Sequence, residues 1–204
     1  MIHDQVVDLF NRFVPEKAAP YCAELYDHFG FEFKIKKARQ TKLGDFRYDP
    51  GTKKHTITIN NDLNPFAFLI TYVHEVAHLV TFAEHGRKAN PHGKEWKKNF
   101  KKVANPILSP EIFPEPVLQS LKNYLKNPKA ASCSDPVLFQ VLKQYDQNNG
   151  KTLLKHLSAG EEFIFNSKHY RYLEKRRTRM VCLEKKSSRK YLINQLAEVK
   201  KIET

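Results

Sequence analysis

One stretch constrains this chain more than any other: residues 64–86, NPFAFLITYVHEVAHLVTFAEHG. Asn64 is a favourable N-cap, Pro65 suits the first helical position, where its missing N–H is not needed, and Gly86 is a natural terminator. The residues between these ends are apolar on nearly every side of a helix. Because a surface helix carries a polar face, this pattern predicts a helix buried in the core.

Two imidazoles and a carboxylate interrupt that apolar run. Residues four apart project from one face of a helix, so His74 and His78 are able to hold one ion between them, while Glu75 lies about 100° round from His74. The order His-Glu-x-x-His is typical of two zinc ligands beside a carboxylate that takes a proton from metal-bound water. With 9 His in the chain, such a match arises by chance in roughly one chain in a hundred. The buried context favours zinc, because unpaired ionisable groups there cost several kcal/mol.

A hydrolytic zinc site needs a third protein ligand and one open position. Two histidines follow the motif: His85 at the end of the same helix, and His92 after the short polar loop 86–91. We favour His92, because a loop that reverses the chain brings it over the face that carries His74 and His78. For His85 we favour a solvated helix end, where a partly protonated imidazole complements the helix dipole.

The motif and its spacing resemble the SprT-like family. HEVAHL is followed, eighteen residues after His74, by His92-Gly-x-x-Trp. The upstream order is similar too: an initial helix, a basic strand, the QTKLGDF turn and a strand that ends at Asn60. The resemblance covers residues 1–126.

This resemblance implies an α+β fold with a zincin-like core, in which a buried metal-binding helix lies beside a small sheet. It implies a zinc-dependent endopeptidase with one Zn²⁺ per chain, held by His74, His78 and His92, and with Glu75 as the catalytic residue. Because the family includes peptidases that cleave proteins crosslinked to DNA, it also implies DNA-bound protein substrates and a preference for single-stranded DNA.

Length and composition predict one core and a small appended module. The chain has 204 residues, 41% of them hydrophobic, which suffices for this arrangement. We expect the metallopeptidase domain at residues 1–126, a linker with a short helix at 127–156, and a basic, β-rich module at 157–204. The small polar segment 127–135 marks the first boundary, and short runs rich in Tyr, Phe, Ile and Val begin after the second.

Periodicity and turn signals predict the other elements of the first domain and the short helix of the linker. Predicted are helices at 2–14, 20–30, 117–126 and 136–145, a second amphipathic helix from Trp96, a basic strand from Phe31, a hairpin of 45–48 with 55–59, and an irregular proline-rich segment at 105–116. Tyr72 should point away from the two histidines and pack. In a zinc peptidase of this layout an edge strand beside the metal helix often binds the substrate backbone, and the sequence leaves open which strand does so.

The cysteines argue against structural cross-links. Cys22, Cys133 and Cys182 are odd in number, far apart and never in a Cys-x-x-Cys pair, so neither a disulfide framework nor a zinc ribbon is expected. Members of the family commonly carry a C-terminal zinc ribbon, and Cys182 by itself cannot form one.

The net charge of +13 makes a polyanion the expected partner. From residue 151 to the end the chain carries 14 Lys and Arg against 6 Glu. Two sets of basic residues are candidates for nucleic-acid contact: Lys94, Lys97, Lys98 and Lys101 beside the metal motif, and Arg176, Arg177 and Arg179 among Tyr170 and Tyr172. The alternatives stay open: an ordinary amphipathic helix with solvated lysines, and a small barrel with core aromatics and exposed arginines.

The sequence predicts neither a membrane span nor a signal peptide, because no stretch approaches twenty consecutive apolar residues and the N-terminus lacks a basic, apolar leader. We therefore expect a cytoplasmic protein, nucleoid-associated if it binds DNA. The first hypothesis is a zinc endopeptidase that acts on DNA-bound or DNA-crosslinked protein. The second is a basic nucleic-acid-binding protein with a structural or vestigial zinc site, and the third is a peptidase without a nucleic-acid role.

Overall fold

The computed structural model describes residues 2–39, 41–129, 135–146 and 152–202. The chain divides into two compact units, Met1–Asp146 and Gln147–Thr204. The first combines helices with a small sheet, and the second is built on a sheet, so the α+β class is confirmed. The predicted boundary segment 127–135 falls largely outside the described residues, as does Cys133.

Over its described residues the first unit has six α-helices. They are α1 (Ile2–Asn11), α2 (Ala19–Phe29), α3 (Pro65–His85), α4 (Lys94–Ala104), α5 (Glu115–Lys126) and α6 (Pro136–Lys143). The prediction that 105–116 is irregular was wrong at its end: α5 begins at Glu115, because Pro116 fits the first turn of a helix.

A three-stranded sheet packs beside these helices. Its strands are β1 (Glu32–Lys36), β2 (Gly44–Asp49) and β3 (Lys54–Asn60). β3 lies in the middle, parallel to β1 and antiparallel to β2. The predicted hairpin is confirmed, and its turn is closed by Asp49 Oδ1, which accepts a hydrogen bond from Gly51 N at 2.9 Å. Among the described residues, β2 is therefore an edge strand of the sheet.

Helix α3 is the centre of the first unit, as predicted. The side chain of Asn64 accepts a hydrogen bond from Ala67 N at 2.9 Å, and Gly86 follows the last helical residue. Among the described residues, Pro65–Lys88 is the one segment with the length and composition of a membrane span, but 72% of its apolar window is buried inside the protein, as in a core helix.

Tyr72 packs away from the metal motif, as predicted. Its ring is fully buried against Phe10 and Phe33, and its hydroxyl donates a hydrogen bond to the Cys22 carbonyl at 2.8 Å. This contact joins α3 to α2, so the opposite face of α3 remains for the histidines. Cys22 itself is a buried free thiol.

The second unit is a six-stranded sheet over its described residues, in the order β4-β9-β5-β6-β7-β8. The strands are β4 (Thr152–Leu153), β5 (Glu162–Phe165), β6 (Lys168–Arg176), β7 (Arg179–Glu184), β8 (Lys190–Asn194) and β9 (Glu198–Lys201). Phe163, Tyr170, Met180 and Cys182 are buried in its own small core. The sequence predicts three or four strands in runs that contain β5 to β9, so it gives at least one strand too few. β4 lies in the segment 127–156 that the sequence predicts as a linker, because two residues are too short to show alternation.

Candidate metal centre

Three imidazoles converge at one point of the first unit. His74 and His78 come from α3, and His92 comes from the loop between α3 and α4. The Nε2–Nε2 distances are 3.2 Å between His74 and His78, 2.9 Å between His78 and His92, and 3.3 Å between His74 and His92. Each residue offers one ligand atom to a shared point, so the cluster is positioned to bind a metal ion.

These distances fit zinc. In a tetrahedral site, Zn–N bonds of about 2.0–2.1 Å place the nitrogen atoms roughly 3.3 Å from one another. The three distances in this cluster run from 2.9 to 3.3 Å. Ring nitrogens this close repel one another unless a proton or a cation lies among them, and three imidazoles leave a fourth tetrahedral position free.

Burial keeps the three rings neutral. It lowers the pKa of His74 well below its ordinary value, with further lowering by the charges of His78 and His92. Burial is also the main cause that lowers the pKa of His78 to about 4 and lowers the pKa of His92. At neutral pH each ring therefore keeps a free lone pair, the form that coordinates metal.

A tight turn carries His92 back over α3. The chain leaves α3 through a 3₁₀ turn at Gly86–Lys88, and His92 itself has a φ of 58°, in the left-handed region that histidine enters more readily than most residues. Gly93 N donates a hydrogen bond to the Asn90 carbonyl at 2.9 Å. A Cβ at Gly93 would lie 3.0 Å from that carbonyl oxygen, which explains the glycine after the histidine.

The structure brings His92, and not His85, to the two histidines of α3. His85 is the last residue of α3, and 43% of its side chain is exposed. Its Nε2 atom lies 3.6 Å from a carboxylate oxygen of Glu84. This is the solvated helix end that the sequence favours for His85.

Trp96 forms the wall behind the imidazoles. It is fully buried, and its ring centroid lies 4.7 Å from that of His74, 5.2 Å from that of His78 and 4.7 Å from that of His92. The indole also stacks on Phe100 at 4.9 Å. Because all three rings rest on one rigid aromatic surface, few orientations are open to them. Trp96 is the single tryptophan of the chain.

Glu75, a residue of α3, lies beside this cluster, and its side chain packs against β2. Its side chain is buried, and burial raises its pKa to about 8, with a further rise from the charge of Asp45. A hydrogen bond from the Phe46 backbone N–H acts in the opposite direction. A dication at the neighbouring imidazoles would also favour the charged carboxylate.

The residues of β2 that surround Glu75 were missed as site residues by sequence reasoning. Asp45 forms ion pairs with Lys42 at 2.8 Å and with Arg47, and Gly44 lies directly against Glu75. The sequence predicts only a turn and a strand here. The one signal is Gly44-Asp45-Phe46, a glycine and an acid at the start of a hairpin, and it carries no information about contact with a helix thirty residues further on.

A cleft of about 560 Å³ opens in front of the cluster. Its lining includes the three imidazoles and Glu75. On the β2 side it is lined by Gly44, Asp45 and Phe46. Phe82 of α3 and the loop that carries His92 complete the wall. The cluster is therefore accessible to a substrate from the edge of the sheet.

A buried polar contact fixes α4 against α3. Asn99 is 3% exposed. Its side-chain amide donates to Thr81 Oγ1 at 3.2 Å and to Glu84 Oε2 at 2.8 Å. Since Trp96 lies on the same helix as Asn99, this contact also sets the position of the wall behind the histidines.

The lysines of α4 differ in their surroundings. Lys97 Nζ donates to Asn127 Oδ1 at 2.7 Å, and Lys101 Nζ donates to the Lys126 carbonyl at 2.9 Å, so both stabilise the C-terminal end of α5. Lys94 lies 3.8 Å from Glu95. Lys98 is exposed on the outer face of α4.

The predicted arginines cluster at the tip of one hairpin in the second unit. Arg176 ends β6, Arg179 begins β7, and the two are directly opposite each other in the ladder. Arg177, in the turn, has a φ of 55°. The two tyrosines expected among them, Tyr170 and Tyr172, are buried in the core, so they are not placed to stack on bases.

A comparison with protein-family models gives one match. The model of the SprT-like family matches residues 5–114, more than half of the chain. The matched range includes the three histidines, Glu75 and the strand β2. Comparisons with curated proteins and with solved structures gave no match.

Proposed function

Because the chain belongs to the SprT-like family, a family of zinc-metalloprotease type, we propose that it is a zinc-dependent endopeptidase with a zincin-like core in its first unit. The observation that carries this proposal is the convergence of His74, His78 and His92 within 3.3 Å of one another, beside Glu75 and at an open cleft. A hydrolytic zinc site needs three protein ligands and a free fourth position, and three neutral imidazoles meet both requirements.

Zinc bound by these residues supplies a Lewis acid that polarises a peptide carbonyl and lowers the pKa of water. Glu75 is the proton carrier. It accepts a proton from the attacking water as the new C–O bond forms, and it delivers that proton to the amine nitrogen as the C–N bond breaks. The burial of Glu75 suits this role, because a carboxylate with a raised proton affinity both takes and returns a proton near neutral pH.

The substrate backbone is proposed to add to β2. This strand is an edge of the sheet, and three of its residues line the cleft beside Glu75. A peptide that adds to an edge strand is held by main-chain hydrogen bonds, so binding needs little side-chain specificity. A scissile bond in such a peptide would lie beside the three imidazoles.

Substitution of Glu75 tests the proposed chemistry. We expect Glu75→Gln to lower the cleavage rate by about 100- to 10,000-fold, the usual contribution of a general acid–base group. The zinc content, measured by metal analysis, should stay at that of the wild type. If wild-type protein that contains one zinc per chain cleaves no protein substrate, with or without single-stranded DNA, the peptidase proposal fails.

We further propose that the substrates are proteins bound to DNA. Support comes from the hairpin tip, where four cations lie close together: Lys175, Arg176, Arg177 and Arg179. Within the part of the chain that the structure describes, no ion pair involves these four residues. Like charges directly opposite each other in a ladder destabilise a hairpin. Arg176 and Arg179 are such a pair. A phosphate between them would relieve that repulsion.

Charge reversal at the hairpin tests this part of the proposal. Arg176→Glu with Arg179→Glu should weaken binding to single-stranded DNA and reduce the slope of log K against log salt by about 1 for each phosphate that the variant no longer binds. A matched control is Arg12→Glu with Lys17→Glu, which makes the same change in net charge at exposed positions of the first unit. Equal weakening in both double variants would show that net charge, and not the hairpin, attracts DNA.

The same hairpin favours a second candidate function: a nucleic-acid-binding protein whose zinc site is structural. Glu75→Gln separates the two candidates, because it removes a proton carrier and leaves both the metal ligands and the hairpin unchanged. Retained DNA binding together with no cleavage by the wild type would favour the second candidate. Cleavage that ignores added DNA, with negligible DNA affinity at physiological salt, would indicate a peptidase without a nucleic-acid role.

A further inference from the structure

Strand β2 lies directly against α3 at Gly44. A Cβ built on this residue would lie 2.6 Å from Glu75 Oε1 and 2.8 Å from Glu75 Cγ. It would also lie 2.7 Å from Thr71 Cγ2. Real Cβ atoms essentially never come within 3.0 Å of such neighbours, so any side chain at residue 44 would force one of them to move.

The backbone at residue 44 does not itself call for glycine. Positive φ values in the described residues occur at Gly30, Gly86 and Gly160 and at six other residues, and Gly44 is not among them. Alanine would therefore accept this backbone conformation without strain. What glycine provides here is space, and Glu75 occupies that space.

The strand cannot easily yield this space by moving away. The two residues before β2 are fixed by Asn60, a buried residue of β3. Its backbone N–H donates to the Leu43 carbonyl at 2.9 Å. The Asn60 amide donates to the Lys42 carbonyl at 2.9 Å, and Arg39 Nε donates to Asn60 Oδ1 at 2.7 Å. Helix α3, on the other side, is the buried centre of the unit. The atoms free to move are therefore the side-chain ends of Glu75 and Thr71.

We propose that Gly44 is a positioning residue for Glu75, an inference that rests on the proposed function. By lacking a Cβ, it lets the carboxylate lie against β2, where the Phe46 backbone N–H contacts it and where it faces the cleft. A methyl group at residue 44 displaces the carboxylate and leaves the three imidazoles in place.

Gly44→Ala tests this positioning role. We expect the zinc content and the fold to be retained while kcat falls by about 10- to 100-fold, because a displacement of a catalytic group by about 1 Å costs that much. KM should change little, since β2 keeps its main chain available to the substrate. An unchanged kcat in Gly44→Ala would overturn the inference.

Thr71 provides the control that separates the two contacts of the added methyl group. Thr71→Ser removes the Cγ2 atom and keeps the hydroxyl that donates to the Ala67 carbonyl at 2.7 Å. Thr71→Ser should be as active as the wild type, and the double variant G44A/T71S should remain as impaired as Gly44→Ala. Full activity in the double variant would show that Gly44 only makes room for Thr71, and would overturn the inference.

A double-mutant cycle in thermal stability tests the contact without any activity. The four proteins are the wild type, Gly44→Ala, Glu75→Ala and the double variant G44A/E75A. We expect the fall in Tm caused by Gly44→Ala to shrink in the Glu75→Ala background, where the crowded atoms are gone. An equal fall in both backgrounds would overturn the inference, even if the wild type proves to be no peptidase. If Gly44→Ala by itself fails to fold, recovery of folding in the double variant supports the contact, and continued failure contradicts it.

Discussion

At the residue scale, the position of the third imidazole decides whether the site holds metal. His92 reaches the two histidines of α3, while His85 points to solvent next to Glu84. We expect His92→Ala to weaken zinc binding by more than about 100-fold, since even changes in residues that only support a ligand cost 10- to 100-fold. The measurement is competition with a zinc chelator, read by the fluorescence of Trp96.

The matched control for this prediction is His85→Ala, which removes an imidazole from the end of α3, seven residues before His92. It should leave zinc affinity unchanged within a factor of about 2, because it contacts none of the three ligands. Equal weakening by the two variants would mean that the cluster seen at His92 is not the zinc site.

Sequence reasoning predicted the three histidines that converge and missed their surroundings for one physical reason. His74, Glu75 and His78 lie within one turn and a half of a helix, so their spacing alone places them together. Gly44 meets Glu75 across thirty residues of chain, and nothing in the local pattern of either segment encodes that contact. A short-range rule finds a motif on one element, whereas a contact between elements requires the packed structure.

At the element scale, α4 must keep a fixed register on α3, because it carries Trp96 behind the histidines. We expect Asn99→Ala to lower the free energy of unfolding by about 1–3 kcal/mol, since Thr81 and Glu84 lose a buried donor. Asn123→Ala, at an exposed position on α5, is the control and should change stability by less than about 0.5 kcal/mol. Urea unfolding followed by Trp96 fluorescence measures both.

The second unit contains a carboxylate that contacts two cationic side chains and one imidazole. Glu162 on β5 is 2.9 Å from Lys185 and 2.7 Å from both Arg171 and His169. Hydrogen bonds from Lys185 and then Arg171 lower the pKa of Glu162 to about 2. Because the folded pKa lies below the unfolded value, this residue adds stability above about pH 4.5, and that contribution is lost as the pH falls towards 2.

Glu162→Gln should therefore destabilise the second unit at neutral pH and make little difference near pH 2. Hydrogen exchange at residues 162–165, measured by mass spectrometry between pH 7 and pH 2.5, compares the variant with the wild type on a local probe. A difference in protection that stays constant over this range would contradict the assigned pKa of Glu162.

Element boundaries followed the sequence where end signals are local. α3 begins after Asn64 and ends before Gly86, as its caps predict. The helix expected at residues 2–14 ends at Asn11, and its apolar residues beyond that point, such as Phe13, still pack on the core. Apolar spacing reports burial, and burial continues past the last residue of α1.

At the scale of the whole molecule, the two units should respond separately to zinc. All three imidazoles belong to the first unit, so a bound ion would raise the free energy of unfolding of that unit by RT ln(1 + [Zn²⁺]/Kd). This increase is about 2.7 kcal/mol at a free zinc concentration of 100 Kd. The chain has one tryptophan, Trp96, which lies against the imidazoles. Its fluorescence therefore reports unfolding of the first unit.

We expect a chelator to lower the Tm of the transition seen by Trp96 fluorescence by several degrees and to leave hydrogen exchange in strands β5 to β8 unchanged. His92→Ala should already unfold at the lower temperature and should not respond to the chelator, because it has lost the third ligand. If the chelator also loosened the sheet of the second unit, the two units would have to unfold as one. A zinc-independent Tm in the wild type would instead mean that the three imidazoles hold no ion whose binding stabilises the fold.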